Sequence, residues 1–106
     1  MQKNNSENAE MLYQAILSLS SPEECRAFFQ DLCTVAELRA MAQRLEVAVL
    51  LDSGMIYNDI LERTGASSAT ISRVNRALQY GADGYKTVLP RLKLLYGAIY
   101  LSGGIL

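Results

Sequence analysis

Histidine and tryptophan are absent from the 106 residues, and cysteine and proline occur only twice each. Without histidine, Cys25 and Cys33, eight residues apart, cannot complete the usual four-ligand zinc site within one copy of the chain. The commonest general acid-base residue is missing too, and there is neither a glycine-rich phosphate loop nor a nucleophile with a neighbouring base. An enzyme is therefore not expected. Both thiols sit among Phe28, Phe29 and Leu32 at helical spacing, where sulfur behaves as a small hydrophobe, and both are expected in the core. No charged start followed by an apolar stretch and a small-residue cleavage site opens the chain, which points to a reducing cytoplasm. Long apolar runs are also lacking. The apolar stretch 94–106 is shorter than the roughly 20 helical residues that a bilayer core demands, so it is expected to pack on the body or on a partner subunit. No membrane partner is expected.

Half of the residues are apolar, and they recur at three- and four-residue spacing with little proline to interrupt them, so the expected fold class is all-α. The length suits one helical domain over 1–106, near the small end of what folds alone, where a core shared with a second copy would help. A net charge of −1 argues against a uniformly basic surface, yet the charge is segregated. Residues 1–62 hold ten acids against four bases, whereas residues 63–106 hold Arg63, Arg73, Arg76, Lys86, Arg91 and Lys93 against Asp83 alone. The second half can face phosphate.

A loose start over 1–6 precedes a helix from about Glu7 to Ser20, with Met11, Leu12, Ala15, Ile16 and Leu19 as its stripe. Ser21-Pro22-Glu23-Glu24 places a cap, a first-turn proline and two acids where the orphan amides and the helix dipole favour them, and that second helix should end near Leu32. Thr34 and Glu37 have capping-box spacing and open a long third helix. Leu38, Met41, Leu45, Ala48, Val49 and Asp52 trace its expected face, and Ser53-Gly54 ends it. A last helix begins near Tyr85, but Pro90 requires either a kink or a start near Leu89, and the start near 89 is the reading preferred here.

Between these lie two short helices, about Tyr57 to Thr64 and Ser68 to Tyr80, separated by Thr64-Gly65-Ala66-Ser67. With Gly65 as the turn residue, Ile60 lies five before it, and Ile71 and Val74 lie six and nine after it, so that their side chains can meet and fix the helices at a steep angle. This is the spacing of a helix-turn-helix. The second helix offers the hydroxyls of Ser67, Ser68, Thr70 and Ser72 to phosphate or base edges, and the cations Arg73 and Arg76 to phosphate, with exposed amides at its start. Arg63 and Lys86 could flank the same backbone. Singly, these serines are ordinary caps and the arginines a solvated face; it is their union with the turn glycine, the core spacing and the charge segregation that points to DNA.

The stretch Gly65 to Leu78 resembles the helix-turn-helix of the tryptophan-repressor superfamily, particularly its YerC/YecD-type group, and Tyr57-Asn58-Asp59-Ile60 and Tyr80-Gly81-Ala82-Asp83-Gly84-Tyr85 strengthen the likeness. The resemblance reaches back through Thr34, Glu37 and Arg44. It implies about six helices in an intertwined homodimer: dimerisation helices over 7–54, the helix-turn-helix over 55–80, and a C-terminal helix with the apolar tail over 85–106. It also implies a bacterial, cytoplasmic transcriptional repressor whose two heads read successive major grooves of a palindromic operator in double-stranded DNA. By position, Ser68, Ala69 and Ser72 match base-facing residues, Thr70 a phosphate-contacting one, and Arg73 an arginine near the corepressor. Thr34, Arg44 and Arg73 match three residues around that ligand, which makes them a possible effector or anion pocket; the blander reading pairs the arginines with acids such as Glu46. The match then breaks, since Val74 stands where the repressor has a glycine that leaves room for the indole, and Ala77 where it has a serine for the ligand's amino group. L-tryptophan is therefore not the expected effector, no cofactor is expected, and the heads can be set without a ligand. The rival reading is a dimeric protein-interaction module that no longer reads DNA.

Overall fold

A computed structural model describes residues 5–97. Among them are six α-helices and no strand: α1 (Asn5–Leu17), α2 (Pro22–Leu32), α3 (Val35–Asp52), α4 (Tyr57–Thr64), α5 (Ser68–Tyr80) and α6 (Gly84–Tyr96). The chain divides into two compact units, Met1–Leu38 and Arg39–Leu106, with the boundary inside α3.

The first unit is built from caps rather than from a core. The Ser21 hydroxyl accepts the Glu24 N–H at 3.1 Å, while the Glu24 carboxylate accepts both the N–H and the O–H of Ser20, at 2.9 and 3.0 Å. Thr34 and Glu37 form the predicted capping box, with the Thr34 N–H donating to Glu37 Oε1 at 2.8 Å and the Glu37 N–H to Thr34 Oγ1 at 3.0 Å. These bonds hold both carboxyls below their ordinary value. α1 begins and ends earlier than its apolar stripe suggests, because the Ser18 hydroxyl donates to the Ala15 carbonyl and closes the helix there. No residue of α1 or α2 is buried, and Met11, Tyr13, Leu17, Leu32 and Val35 are exposed. The expectation of core thiols is thus corrected: Cys25 is exposed on α2, which has no buried residue, and Cys33, the extended residue that ends that helix, is half-buried.

The second unit holds the core. Val47, Ala48, Val49 and Leu50 of α3 are buried with Ile60, Ala66, Ile71, Val74 and Leu89, and Leu51, Met55, Leu61, Leu78, Tyr85 and Leu92 pack around them. The buried part of α3 is a continuous run at its C-terminal end rather than the predicted stripe, since Leu38, Leu45 and Asp52 remain exposed. A helix covered on several sides over one turn buries consecutive residues, and a periodicity argument looks for the wrong pattern there.

α6 corrects the expected start near Leu89. It begins at Gly84, after Asp83 in a left-handed conformation (φ 67°), and carries Pro90 inside it. The Thr87 hydroxyl and N–H both donate to the Asp83 carbonyl at 3.1 Å, which secures the first turn. Proline at 90 has no N–H for the Lys86 carbonyl, but residue 90 faces solvent and water can serve that oxygen, while the neighbouring Leu89 is buried. At the other end Leu94 and Leu95 are 88% and 77% exposed, so the start of the apolar tail does not pack on the body. Asn5 and Ser6, expected in a loose start over 1–6, are instead the first residues of α1, while residues 1–4 and the rest of the tail, 98–106, lie outside the described residues. No described helix is long and apolar enough to cross a membrane.

Candidate nucleic-acid interface

The turn between α4 and α5 is built as its residue types require. Gly65 adopts φ 69°, the left-handed conformation that ends α4, and its N–H returns to the Leu61 carbonyl. The Thr64 hydroxyl donates to the Ile60 carbonyl at 2.7 Å and accepts the Ala66 N–H at 3.0 Å, so the chain reverses around a buried Ala66. Ser67 then caps α5: its hydroxyl accepts the Thr70 N–H at 3.1 Å and lies 3.0 Å from Thr70 Oγ1. Ile60 and Ile71 are fully buried and Val74 is 2% exposed, as the spacing around Gly65 predicts.

With Ile71 and Val74 committed inward, the opposite face of α5 is free to meet a ligand. Ser67, Ser68, Ala69, Ser72, Arg73 and Arg76 are exposed and Thr70 is half-buried. Two hydroxyls of this set have structural duties, since Ser67 is the cap and Thr70 is bonded to it; Ser68 and Ser72 are the ones with no bond among the described residues. Arg73 and Arg76 form no ion pair among the described residues, and α5 contains no acid. The flanking cations differ. Lys86 is paired with Asp83 at 3.3 Å, Lys93 with Asp52 at 3.3 Å, and the charge of Arg63 acts on Glu46. Burial raises the Glu46 carboxyl above its ordinary value, against the pull of Arg63. The expectation that Arg44 or Arg73 pairs with Glu46 is therefore not met among the described residues.

Thr34 belongs to the first unit, where its hydroxyl and N–H are used by Glu37, whereas the half-buried Arg44 and exposed Arg73 belong to the second. An apolar cavity of about 370 Å³ does lie in the second unit, lined by Leu45, Ala77, Ala82, Gly84, Tyr85 and Val88. None of these side chains carries a charge, so the cavity has nothing to hold the ammonium or carboxylate of an amino acid, and Val74 is packed into the core beside α3. That cavity does not fit tryptophan.

One polar contact escaped sequence reasoning. Gln43 of α3 donates from Nε2 to the Thr64 carbonyl at 3.3 Å, across 21 residues of chain. The hydrophobic pattern gave no signal for it, since Gln43 lies on the side of α3 opposite the expected face of Leu38, Met41, Leu45 and Ala48.

Comparison with known proteins agrees with this architecture. The family described as Trp repressor protein matches residues 7–93. The uncharacterized protein YerC of Bacillus subtilis (strain 168) is 54% identical over 84 residues, covering 79% of this chain and 81% of that protein. Two solved structures superpose on it. A TrpR-like protein from Eubacterium eligens has a TM-score of 0.78 and 52% identity, and covers 84% of this chain and 95% of that one. A candidate Trp repressor from Staphylococcus aureus has a TM-score of 0.77 and 48% identity, with 81% and 86% covered.

Proposed function

The chain belongs to the Trp repressor family, and from that premise we propose that it is a sequence-specific transcriptional repressor that reads a palindromic operator as a homodimer. The observation that carries this reading is the division of labour on α5, where Ile71 and Val74 anchor one face while Ser68, Ala69, Ser72, Arg73 and Arg76 stand exposed on the other. A helix so mounted can enter a major groove, with Ser68, Ala69 and Ser72 at base edges and Thr70 and the two arginines at phosphate. Membership of a family of regulatory helix-turn-helix proteins, rather than of enzymes, supports the same conclusion.

The dimer follows from what the first unit lacks. Helices with no buried residue and with exposed Met11, Tyr13, Leu17 and Leu32 are not stable in water on their own; they require an apolar surface to cover them. A second copy supplies that surface, so residues 7–54 serve dimerisation and 55–80 serve reading. The heads are set without tryptophan, because Val74 already joins Ile60 and Ile71 in the core.

The test is a genome-wide selection of DNA fragments by the purified protein at two salt concentrations, with the Arg73→Ala/Arg76→Ala double variant as control. Enrichment of one palindrome by the wild type, lost in the variant, is the expected result. No enrichment at either salt, with a folded dimer confirmed by light scattering, would overturn sequence-specific reading and favour a protein-interaction role.

A further inference from the structure

The apolar contacts that hold α4 and α5 against α3, through Val47, Leu50, Ile60, Ile71 and Val74, are non-directional. They seat the reading head and set its coarse crossing angle, and a directional hydrogen bond can narrow that angle further. We propose that Gln43 is the positioning residue that fixes the angle of the reading head on α3, by donating to the Thr64 carbonyl. The inference rests on the DNA-reading function above, and it adds a residue outside the helix-turn-helix that tunes it.

The Thr64 carbonyl is one of the last-turn acceptors of α4 that no helical amide can reach, so the Gln43 amide satisfies an otherwise orphaned group. The same residue governs the turn. Its hydroxyl accepts the Ala66 N–H, Ala66 is buried, and the next residue, Ser67, caps α5. A constraint at Thr64 therefore passes within three residues to the helix start that carries Ser68 and Ala69. Leverage makes this matter: Ser68 and Arg76 are separated by about 12 Å along α5 at 1.5 Å per residue, so a tilt of about 5° moves one against the other by about 1 Å, enough to break a hydrogen bond. One turn beyond Gln43, Glu46 faces the charge of Arg63 from the same end of α4, a second and purely electrostatic tie.

The full chain is compared as wild type, Gln43→Met, which keeps the length but removes the donor, and Gln43→Glu. Amide hydrogen exchange is measured in the absence of DNA, and affinity is measured on the selected operator. In Gln43→Met the Gly65, Ala66 and Thr70 amides should exchange about three- to tenfold faster, the worth of one hydrogen bond, while α6 amides are unchanged, and operator affinity should fall by a similar factor. In Gln43→Glu the loss should be larger at pH 7.5 and recover towards wild type only as the pH falls below about 4.3, where the carboxyl becomes protonated and again offers a donor to the Thr64 carbonyl. Gln43→Met carries the same Glu46 and Arg63 and so controls for their titration. Unchanged turn exchange, or a rise shared equally by every helix, would overturn the inference. Faster turn exchange in a protein that selects no DNA would uphold the role of Gln43 in setting the head while the DNA reading alone falls.

Discussion

Arg76→Ala tests the proposed phosphate contact of that residue apart from the other properties of the helix-turn-helix. The side chain is exposed and forms no ion pair among the described residues, so its removal should leave stability within about 0.5 kcal/mol of wild type. Its effect on binding can be worked from charge alone. Each neutralised phosphate contributes about −0.9 to the slope of log affinity against log salt, so a fourfold rise from about 50 to 200 mM costs about 3.5-fold per contact. A dimer presents Arg76 twice, which makes the expected difference about 12-fold. Wild type should thus lose about 12-fold more affinity than Arg76→Ala over that range, on operator and on unrelated DNA alike. Fluorescence anisotropy with labelled duplexes at four or five salt concentrations measures both slopes. Parallel slopes, or a loss confined to the operator, would refute the placement of Arg76 at the backbone.

Ser72→Ala should do the reverse, shifting which operator is preferred in a repeated selection while leaving the salt slope intact; equal behaviour of the two variants would count against both assignments. Gly81→Ala should destabilise the chain by about 1 to 3 kcal/mol in urea unfolding, since a Cβ there meets the Ala77 carbonyl backbone, whereas Gly65→Ala has open space and should cost only the left-handed strain, about 1 to 2 kcal/mol. The capping carboxyl of Glu37 is held below its ordinary value by the Thr34 N–H. Its contribution to helix content should therefore be complete above pH 4.5 and fade as the pH falls through its lower folded value, a limb that Glu37→Gln removes in circular dichroism. Glu46 has the opposite sign: its raised carboxyl favours the fold at low pH, and that gain is lost as the pH rises from 4.5 through its folded value. Calorimetry should detect no micromolar binding of L-tryptophan.

The helix-turn-helix was legible because its signals are local. Gly65 must be left-handed, Ser67 must cap, and Ile60, Ile71 and Val74 must converge, and each requirement is set by residues within nine positions of the turn. The capping box at Thr34 was legible for the same reason. The burial of α3 was not, since whether Leu45 or Val47 is covered depends on which helices arrive from 10 to 40 residues away. Cys25 misled through composition: phenylalanines at helical spacing look like a core, yet no residue of α2 is buried. Pro90 misled because a cost was treated as a prohibition. One lost hydrogen bond at a solvent-facing position is outweighed by a helix whose Leu89 is buried.

The segregation of charge bears on how such a head can be specific. A chain of net charge −1 makes a dimer of −2, which gains nothing from long-range attraction to DNA; at about 0.01 M salt the screening length of about 30 Å lets its acids oppose approach. At about 0.15 M that length falls to about 8 Å, and only the groups facing the groove are felt, which on α5 are Arg73 and Arg76 with no acid among them. Under the proposed DNA-reading function, non-specific affinity is therefore held low while the local contacts survive, and discrimination would pass to the short side chains of Ser68, Ala69 and Ser72. It also follows that the absolute salt slope of this protein mixes phosphate release with weakening repulsion from its own acids. The difference between wild type and Arg76→Ala cancels the second part, because both carry the same ten acids in residues 1–62, and it is that difference which counts phosphates.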